Sequence, residues 1–465
     1  MPNPISRRRF LGRMNCAAIS SLPILNTLLN LKLAGTVAAA TDNTDHRALV
    51  CLFLSGGCDT FNVLVPRGSA EYAEYSAVRG GIALPQSSLR PINPVGLSGM
   101  QLGLHPGLPG LQSLFEAGHA AFVSNVGTLI EPVTKQEYYD GLKRLPLGLY
   151  SHSDQIEQWH TSTPNIRSPK GWGGRMGDLL HSMNSLDTVS MNISLTGSNI
   201  WQCGENTFEY TVSTDGAISL DGYDPTDTDE WSTTPIRTKA IDSQLALNYR
   251  HLLTQAFNAK KRGAMDAYNL FNSATSLTLP ANVTFPDSEL ARQLQMVAKA
   301  IGGHTALGQS RQTFFIEYGG WDHHDGLIAA QAEMLPEVDA AIKAFYDCLA
   351  AMGLQNNVTL FTASDFSRTL TTDSDGADHA WGGNHFVVGG AVRGQKVYGQ
   401  YPRLYPDNPL DVERGRIIPQ IAVDTYFAEL ALWLGVSKSS LPLVFPNIGN
   451  FYNINSSSAP LGFLV

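Results

Sequence analysis

Apolar positions along this chain gather in short runs, and most of these runs end on a polar cluster. Ala48-Leu49-Val50-Cys51-Leu52-Phe53-Leu54 is continuous, as expected of a strand buried on both faces. Ala120-Ala121-Phe122-Val123-Ser124, Thr313-Phe314-Phe315-Ile316, Val358-Thr359-Leu360-Phe361-Thr362 and Phe386-Val387-Val388 predict further strands. Between them the period changes. Leu111, Leu114 and Phe115 share a helical face that Gly118 ends. Val338, Ile342, Phe345, Leu349 and Met352 recur at spacings of four and three and stop at Gly353. Helices are also predicted to start near Tyr150–Gln155, with Ser and Asp as caps, and at Gly171–Arg175. A last one runs from Val423 to Leu434. Residues 243–302 read as two helical segments broken at Pro280–Pro286. Residues 190–240, rich in Thr, Ser, Asp and Gly, read as an insertion of hairpins and loops. Strand, acid, helix repeats three times. That order predicts an α/β fold, a doubly wound and mostly parallel sheet with helices on both faces.

The polar clusters carry the chemistry. Asp59, Asp322 and Asp365 each follow a strand-like run, and in such a sheet these exits share one edge, where ligands bind. His323 and His324 adjoin Asp322 in the stretch Gly319-Gly320-Trp321-Asp322-His323-His324-Asp325-Gly326. His379 and His385 follow Asp365. Histidine with carboxylate is a ligand set for zinc, manganese or iron at hydrolytic sites. Two such ions about 4 Å apart clamp the attacking and leaving oxygens of a phosphoryl-type transfer. Arg368 and Arg175 are candidate clamps for a tetrahedral anion, because a guanidinium matches its oxygens in pairs. His105, His160, His181, His251 and His304 stand apart from any such cluster and read as ordinary surface or core residues.

Composition narrows the partners. The 465-residue chain is 43% hydrophobic and 16% charged, which is globular. Its net charge is −9, yet residues 1–40 hold five positives and no acid, so the remainder has 27 positives against 41 acids. That acidic body argues against a nucleic-acid binder. The five cysteines form no CxxC pair, and four buried or free thiols are expected outside the leader. Ser6-Arg7-Arg8-Arg9-Phe10-Leu11, an apolar stretch interrupted by Asn26 and Asn30, and Ala38-Ala39-Ala40 resemble a twin-arginine export signal over residues 1–40. The expected location is periplasmic or secreted, with the twin-arginine translocase as partner during export and no permanent membrane span. Residues 41–465 are then one α/β domain carrying the 190–240 insertion.

The ordered motifs resemble one family. They are Ser55-Gly-Gly-Cys-Asp-Thr-Phe-Asn62, Gly103-Leu-His-Pro106, Ser151-His152, Gly171-Trp172 with Arg175, Gly319 to Asp325, Ser364-Asp-Phe-Ser-Arg-Thr369, Asp378-His-Ala-Trp-Gly-Gly383 and Gly415-Arg-Ile-Ile-Pro419. Together they look like the bacterial domain of unknown function 1501, itself similar to the alkaline phosphatase and sulfatase superfamily. The resemblance implies an alkaline-phosphatase-like core and a divalent metal, zinc first, with manganese, iron or calcium as alternatives. It implies Asp59, Asp322, His324, Asp365 and His379 as ligands, Asp365 standing where the family commonly has Glu. It points to Ser151 as nucleophile, with Ser153 or Thr60 as rivals, and to Arg368 as the group holding the anion. His323 then faces the substrate or supports a ligand. The function implied is two-metal hydrolysis of a phosphate or sulfate ester of a small molecule or glycan. The alternative is a non-catalytic envelope protein that keeps the fold to bind a ligand or partner.

Overall fold

The computed structural model describes residues 46–464 except Ser98, Glu230, Asn248 and Asp373. The export-signal reading of residues 1–40 lies outside the described residues. β1 (Arg47–Leu54) is the apolar run expected, and it forms the middle of a ten-stranded sheet. Parallel neighbours flank it on both sides, so its residues are covered by backbone as well as by side chains. β9 (Arg311–Tyr318) pairs with Cys51 opposite Phe315, and β10 (Val358–Ser364) pairs with Cys51 opposite Phe361. Beyond β10 lie β11 (Gly383–Val388), β5 (Ala120–Gly127) and β12 (Lys396–Tyr398), and β13 (Ile421–Ala422) also joins β5. On the other flank come β6 (Asn192–Ser194), β7 (Tyr210–Ser213) and β8 (Gly216–Ala217). β2 (Leu64–Pro66), β3 (Arg90–Ile92) and β4 (Leu102–Leu104) make a separate small antiparallel sheet.

Strand alternation sends successive β1 residues to opposite faces. Val50 and Leu52 enter a core shared with Leu294 and Val297 of one helix and Ile342 and Phe345 of another. In chain order the helices that matter are α1 (Ser69–Arg79), α2 (Pro109–Glu116), α3 (His152–Thr161), α4 (Trp172–Leu180), α5 (Thr234–Ala246), α6 (Leu252–Thr275), α7 (Glu289–Gly302), α8 (Leu327–Ala351) and α9 (Val423–Leu434). Phe53 points the other way, its ring 4.8 Å from that of His160 on α3. On that face Trp172 of α4 stacks on Phe427 of α9 at 4.4 Å. Helices therefore cover both faces, and the expected mostly parallel α/β sheet is what forms.

Two features differ from the sequence reading. The segment 190–240 is not wholly an insertion: β6 runs parallel to β9, with Ile193 opposite Phe314, and β7 extends the sheet from it. Its polar residues misled because they are buried with partners. Thr313 Oγ1 donates to Asn192 Oδ1 at 2.8 Å, and Gln202 Nε2 donates to the Ile193 carbonyl at 3.1 Å. Helix also resumes earlier, at Thr234 with Pro235 in its first turn, where proline is tolerated. The four described cysteines are free thiols, as expected. Among the described residues no helix is long and apolar enough to cross a membrane.

Candidate metal centre

The carboxyl ends of β1, β5, β9 and β10 share one edge of the sheet, and β11, which is antiparallel, starts there. Five segments at this edge build the site. Past β9 the chain turns at Gly320, and the Trp321 amide donates to the Ser55 carbonyl at 3.2 Å. This ties the Asp322–His324 loop to the end of β1. Gly56, at φ +116, allows the approach, since a Cβ there would stand 2.7 Å from the Asp322 amide nitrogen. Past β10, residues 367–369 pair antiparallel with 378–380, with Arg368 bridged to His379. That pairing delivers His379. The connection leaving β5 reaches α3, whose first residue is His152.

Three imidazoles and one carboxylate converge. His379 Nε2 lies 3.0 Å from His152 Nε2 and 2.9 Å from His324 Nε2. Asp322 Oδ1 lies 3.1 Å from His324 Nε2 and 3.4 Å from the other two. A tetrahedral ion with bonds of about 2.0–2.1 Å holds its donors about 3.3 Å apart, so the mutual spacings of His152, His379 and Asp322 fit a small divalent cation, with His324 beside two of them. The far ring nitrogens settle the tautomers. His152 Nδ1 meets Asp365 Oδ2 at 2.6 Å, and His379 Nδ1 meets the Tyr150 carbonyl at 2.8 Å. A carbonyl only accepts, so His379 Nδ1 carries the hydrogen, and the carboxylate asks the same of His152. Both Nε2 atoms then present lone pairs to each other and to a carboxylate oxygen, an arrangement that calls for a cation between them. Burial holds His379 below the usual imidazole range and so favours this neutral, ligating form. Burial raises the Asp322 carboxyl, but the hydrogen bond and charge of Arg368 outweigh it, and its pKa falls below the usual value. Asp322 and His324 are about half exposed, so the cluster opens to solvent on their side.

The other expected site residues have different places. Asp365 is fully buried and does not face the cluster centre. Its Oδ1 accepts from the Gly56 amide at 3.0 Å and its Oδ2 orients His152. It holds His152 in place and stands outside the donor group. Asp59 is fully buried in an ion pair with Arg79 and accepts from the Phe61 amide at 3.2 Å, which leaves it no role as a ligand in this geometry. Arg368 is also fully buried. Its nitrogens donate to the carbonyls of Gly56, Gly57, Trp321 and Ala377 and to Asp322 Oδ1 at 2.6 Å. It braces the loops and keeps Asp322 ionised, and its complete burial turns it away from a substrate anion. Arg175 is likewise spent on the carbonyls of Lys170, Thr161 and Val444, and burial pushes its guanidinium down to about 10. Ser151 is half-buried next to His152, its hydroxyl 3.2 Å from that of Ser153 and not capping α3. Thr60 is buried and bonded to Ser367 and the Asn384 amide. His323 is buried with its ring edge-on to Trp321. His385 packs against Trp159 in the core, where burial holds it near 3.

The strand-exit argument missed His152 as a member of this cluster, because it stands 25 residues past the end of β5, at the start of α3, where no strand-exit spacing reports it. A second donor group, His324, Asp378 and His379, lies within 4.8 Å, but Arg414 and Arg416 both hold the Asp378 carboxylate.

Comparison with known proteins agrees with the motif reading. Ps i-CgsB, solved in complex with k-i-k-neocarrahexaose, is similar at 11% identity and TM-score 0.33, covering 89% of this chain and 78% of that one. PsFucS1 sulfatase from Pseudoalteromonas sp. has 11% identity and TM-score 0.30, with 89% and 72% covered. A mutant of the alkaline phosphatase PafA has 14% identity and TM-score 0.21, with 70% and 64% covered. Scores this low assign no activity, and the α/β architecture rests on the sheet itself. No curated protein matches the chain. The family described as "Protein of unknown function (DUF1501)" matches residues 237–414, the stretch that holds Asp322, His324 and His379.

Proposed function

We propose that this protein is a metal-dependent hydrolase of phosphate or sulfate esters, built around one cation instead of two. The observation that carries it is the convergence of His152, His324 and His379 Nε2 on Asp322 Oδ1, with the far ring nitrogens of His152 and His379 committed to acceptors. A divalent cation bound there supplies Lewis-acid polarisation of an ester oxygen. The chain supplies the rest. Asp322 stays ionised beside Arg368, the imidazoles stay neutral and aimed, and the half-exposed side admits a substrate. Ser151, one residue before His152, is the hydroxyl we assign as the attacking group. The motif resemblance supports the ester class, of a small molecule or a glycan. A second cation has no free ligands in Asp59 or Asp365, since Arg79 and His152 engage them.

The test is elemental analysis of the purified protein followed by a panel of phosphate and sulfate esters. One equivalent of zinc, manganese or iron is expected, lost in His152→Ala and Asp322→Ala. Ser151→Ala should keep the cation and lose turnover. A protein that takes up no divalent ion refutes the proposal. A second reading is a non-catalytic binding protein: were His324 to join His152, His379 and Asp322 around one ion, four protein donors would close its shell, as in structural zinc sites. Stoichiometric zinc with no turnover of any ester would favour it. Export by the twin-arginine route is part of the same proposal, and Arg7→Lys with Arg8→Lys should retain a reporter fused to residues 1–40 inside the cell.

A further inference from the structure

Two of the imidazoles come from chain segments 227 residues apart, and one arginine touches both segments. Arg416 lies on neither. Its guanidinium carbon sits 4.7 Å from the centroid of the Tyr150 ring, within cation–π range. Its Nε donates to the His379 carbonyl at 2.9 Å, and its Nη2 donates to Asp378 Oδ2 at 3.0 Å. Tyr150 is two residues before His152. It is held at φ +74, a left-handed conformation that a bulky residue rarely adopts and that persists only where its surroundings enforce it. In that conformation its carbonyl receives the Nδ1 hydrogen of His379, and its hydroxyl lies 3.2 Å from that of Tyr138. The ring is thus clasped from one side by Arg416 and at its tip by Tyr138.

We infer that Arg416 and Tyr150 form a clip that sets the His152–His379 geometry, and that they are positioning residues for the cation site. The inference rests on the metal-centre reading above. Arg416 fixes Tyr150 through its ring and fixes the 378–379 segment through one donor to the His379 carbonyl and one to the Asp378 carboxylate. Tyr150 in turn fixes the ring of His379 through its carbonyl and carries the chain directly into His152. Loosening the clip frees both imidazoles while leaving all four donor residues in the sequence. Arginine is suited to this place because one planar group both stacks on the ring and donates from separate nitrogens; lysine offers only a point charge.

The experiment measures the dissociation constant of Zn2+ by competition with a chromogenic chelator, for the full chain and its variants. Thermal melting without metal and the nitrogen-15 pattern of His379 accompany it. Arg416→Ala and Tyr150→Leu are expected to bind Zn2+ about ten- to a hundredfold more weakly, the range seen when an outer partner of a ligand is lost. Arg416→Lys should recover only part of this. Tyr150→Phe keeps the ring and the carbonyl, and should stay within about threefold of wild type, the small change expected when a ring and backbone are retained. In Arg416→Ala the His379 signal should change from a single Nδ1-protonated form to a mixture. Wild-type affinity in folded Arg416→Ala and Tyr150→Leu overturns the inference. So does a raised KM at unchanged Zn2+ affinity, which would make Arg416 a substrate contact. Should Arg416→Ala fail to fold, equal affinities of Tyr150→Leu and Tyr150→Phe overturn it instead. A wild-type chain that binds no Zn2+ refutes the metal centre itself, which is a different result from a wild type that binds and variants that bind as well.

Discussion

Asp365→Asn removes one charge and almost no volume, which makes it a sharp probe of the centre. Both carboxylate oxygens of Asp365 are buried and used: one accepts from the Gly56 amide at 3.0 Å, the other from His152 Nδ1 at 2.6 Å. An asparagine has one acceptor and one donor end. If its oxygen keeps the Gly56 amide, its NH2 faces the His152 Nδ1 hydrogen, two donors in contact. The ring relieves this by moving its hydrogen to Nε2, and the lone pair aimed at the cluster is lost. If the amide turns over instead, the Gly56 amide is left without an acceptor, beside the loop that carries Asp322. Loss of such an outer partner weakens metal binding by about 10- to 100-fold, or roughly 1.4–2.7 kcal/mol. Isothermal calorimetry with Zn2+, backed by chelator competition, reads this directly, and circular dichroism checks the fold. A folded Asp365→Asn protein whose Zn2+ affinity stays within about twofold of wild type would refute the tautomer argument, because about 0.4 kcal/mol is below any of these costs.

Other substitutions separate support from ligation. Asp59→Asn should leave Zn2+ affinity unchanged while lowering stability by about 3–5 kcal/mol in urea unfolding, because Arg79 is left buried without its partner; a matching loss of affinity would restore Asp59 as a ligand. Gly56→Ala should cost roughly 2–4 kcal/mol and weaken Zn2+ binding, since its φ is +116 and the new methyl carbon would press on the Asp322 backbone. Asp424 gives a pH test away from the centre. Burial pushes its carboxyl from 3.8 up to about 7, so the folded state holds a proton that the unfolded state has released. Its contribution to stability therefore falls as pH rises from about 4 to about 7, by up to a few kcal/mol. Asp424→Asn should melt close to wild type at pH 4 and well above it at pH 8, and a pH-independent difference would show that the carboxyl is not protonated in the fold.

The strands were legible because burial on both faces leaves a continuous apolar run, as in β1 and β10. The helix carrying Val338, Ile342, Phe345 and Leu349 was legible from its period. The strand-exit rule singled out Asp322, His324 and His379, which the fold brings together. It overreached at Asp59 and Asp365, because a carboxylate behind a strand looks the same in sequence whether it meets a cation, an Arg79 or a His152. Those partners lie 20 and 213 residues away, and no local spacing reports them. Arg368 misled for a similar reason: its position predicted a clamp, while its complete burial against four carbonyls could be seen only in three dimensions. The strands of 190–240 escaped because Asn192 and Gln202 are buried polar residues satisfied by the sheet itself.

The four donors sit at positions 152, 322, 324 and 379, and the strands that aim them include β1, near the start of the described chain, and β11, which runs against its neighbours. Short-range folding can therefore make no part of this centre useful. The matched family stretch, residues 237–414, holds three donors but lacks His152 and the middle strand of the sheet. On the proposed metal reading, ion uptake is an event of the finished molecule, coming after the long-range strand pairings close, and the rate at which a refolding chain captures zinc would be a clock for the last step of its assembly.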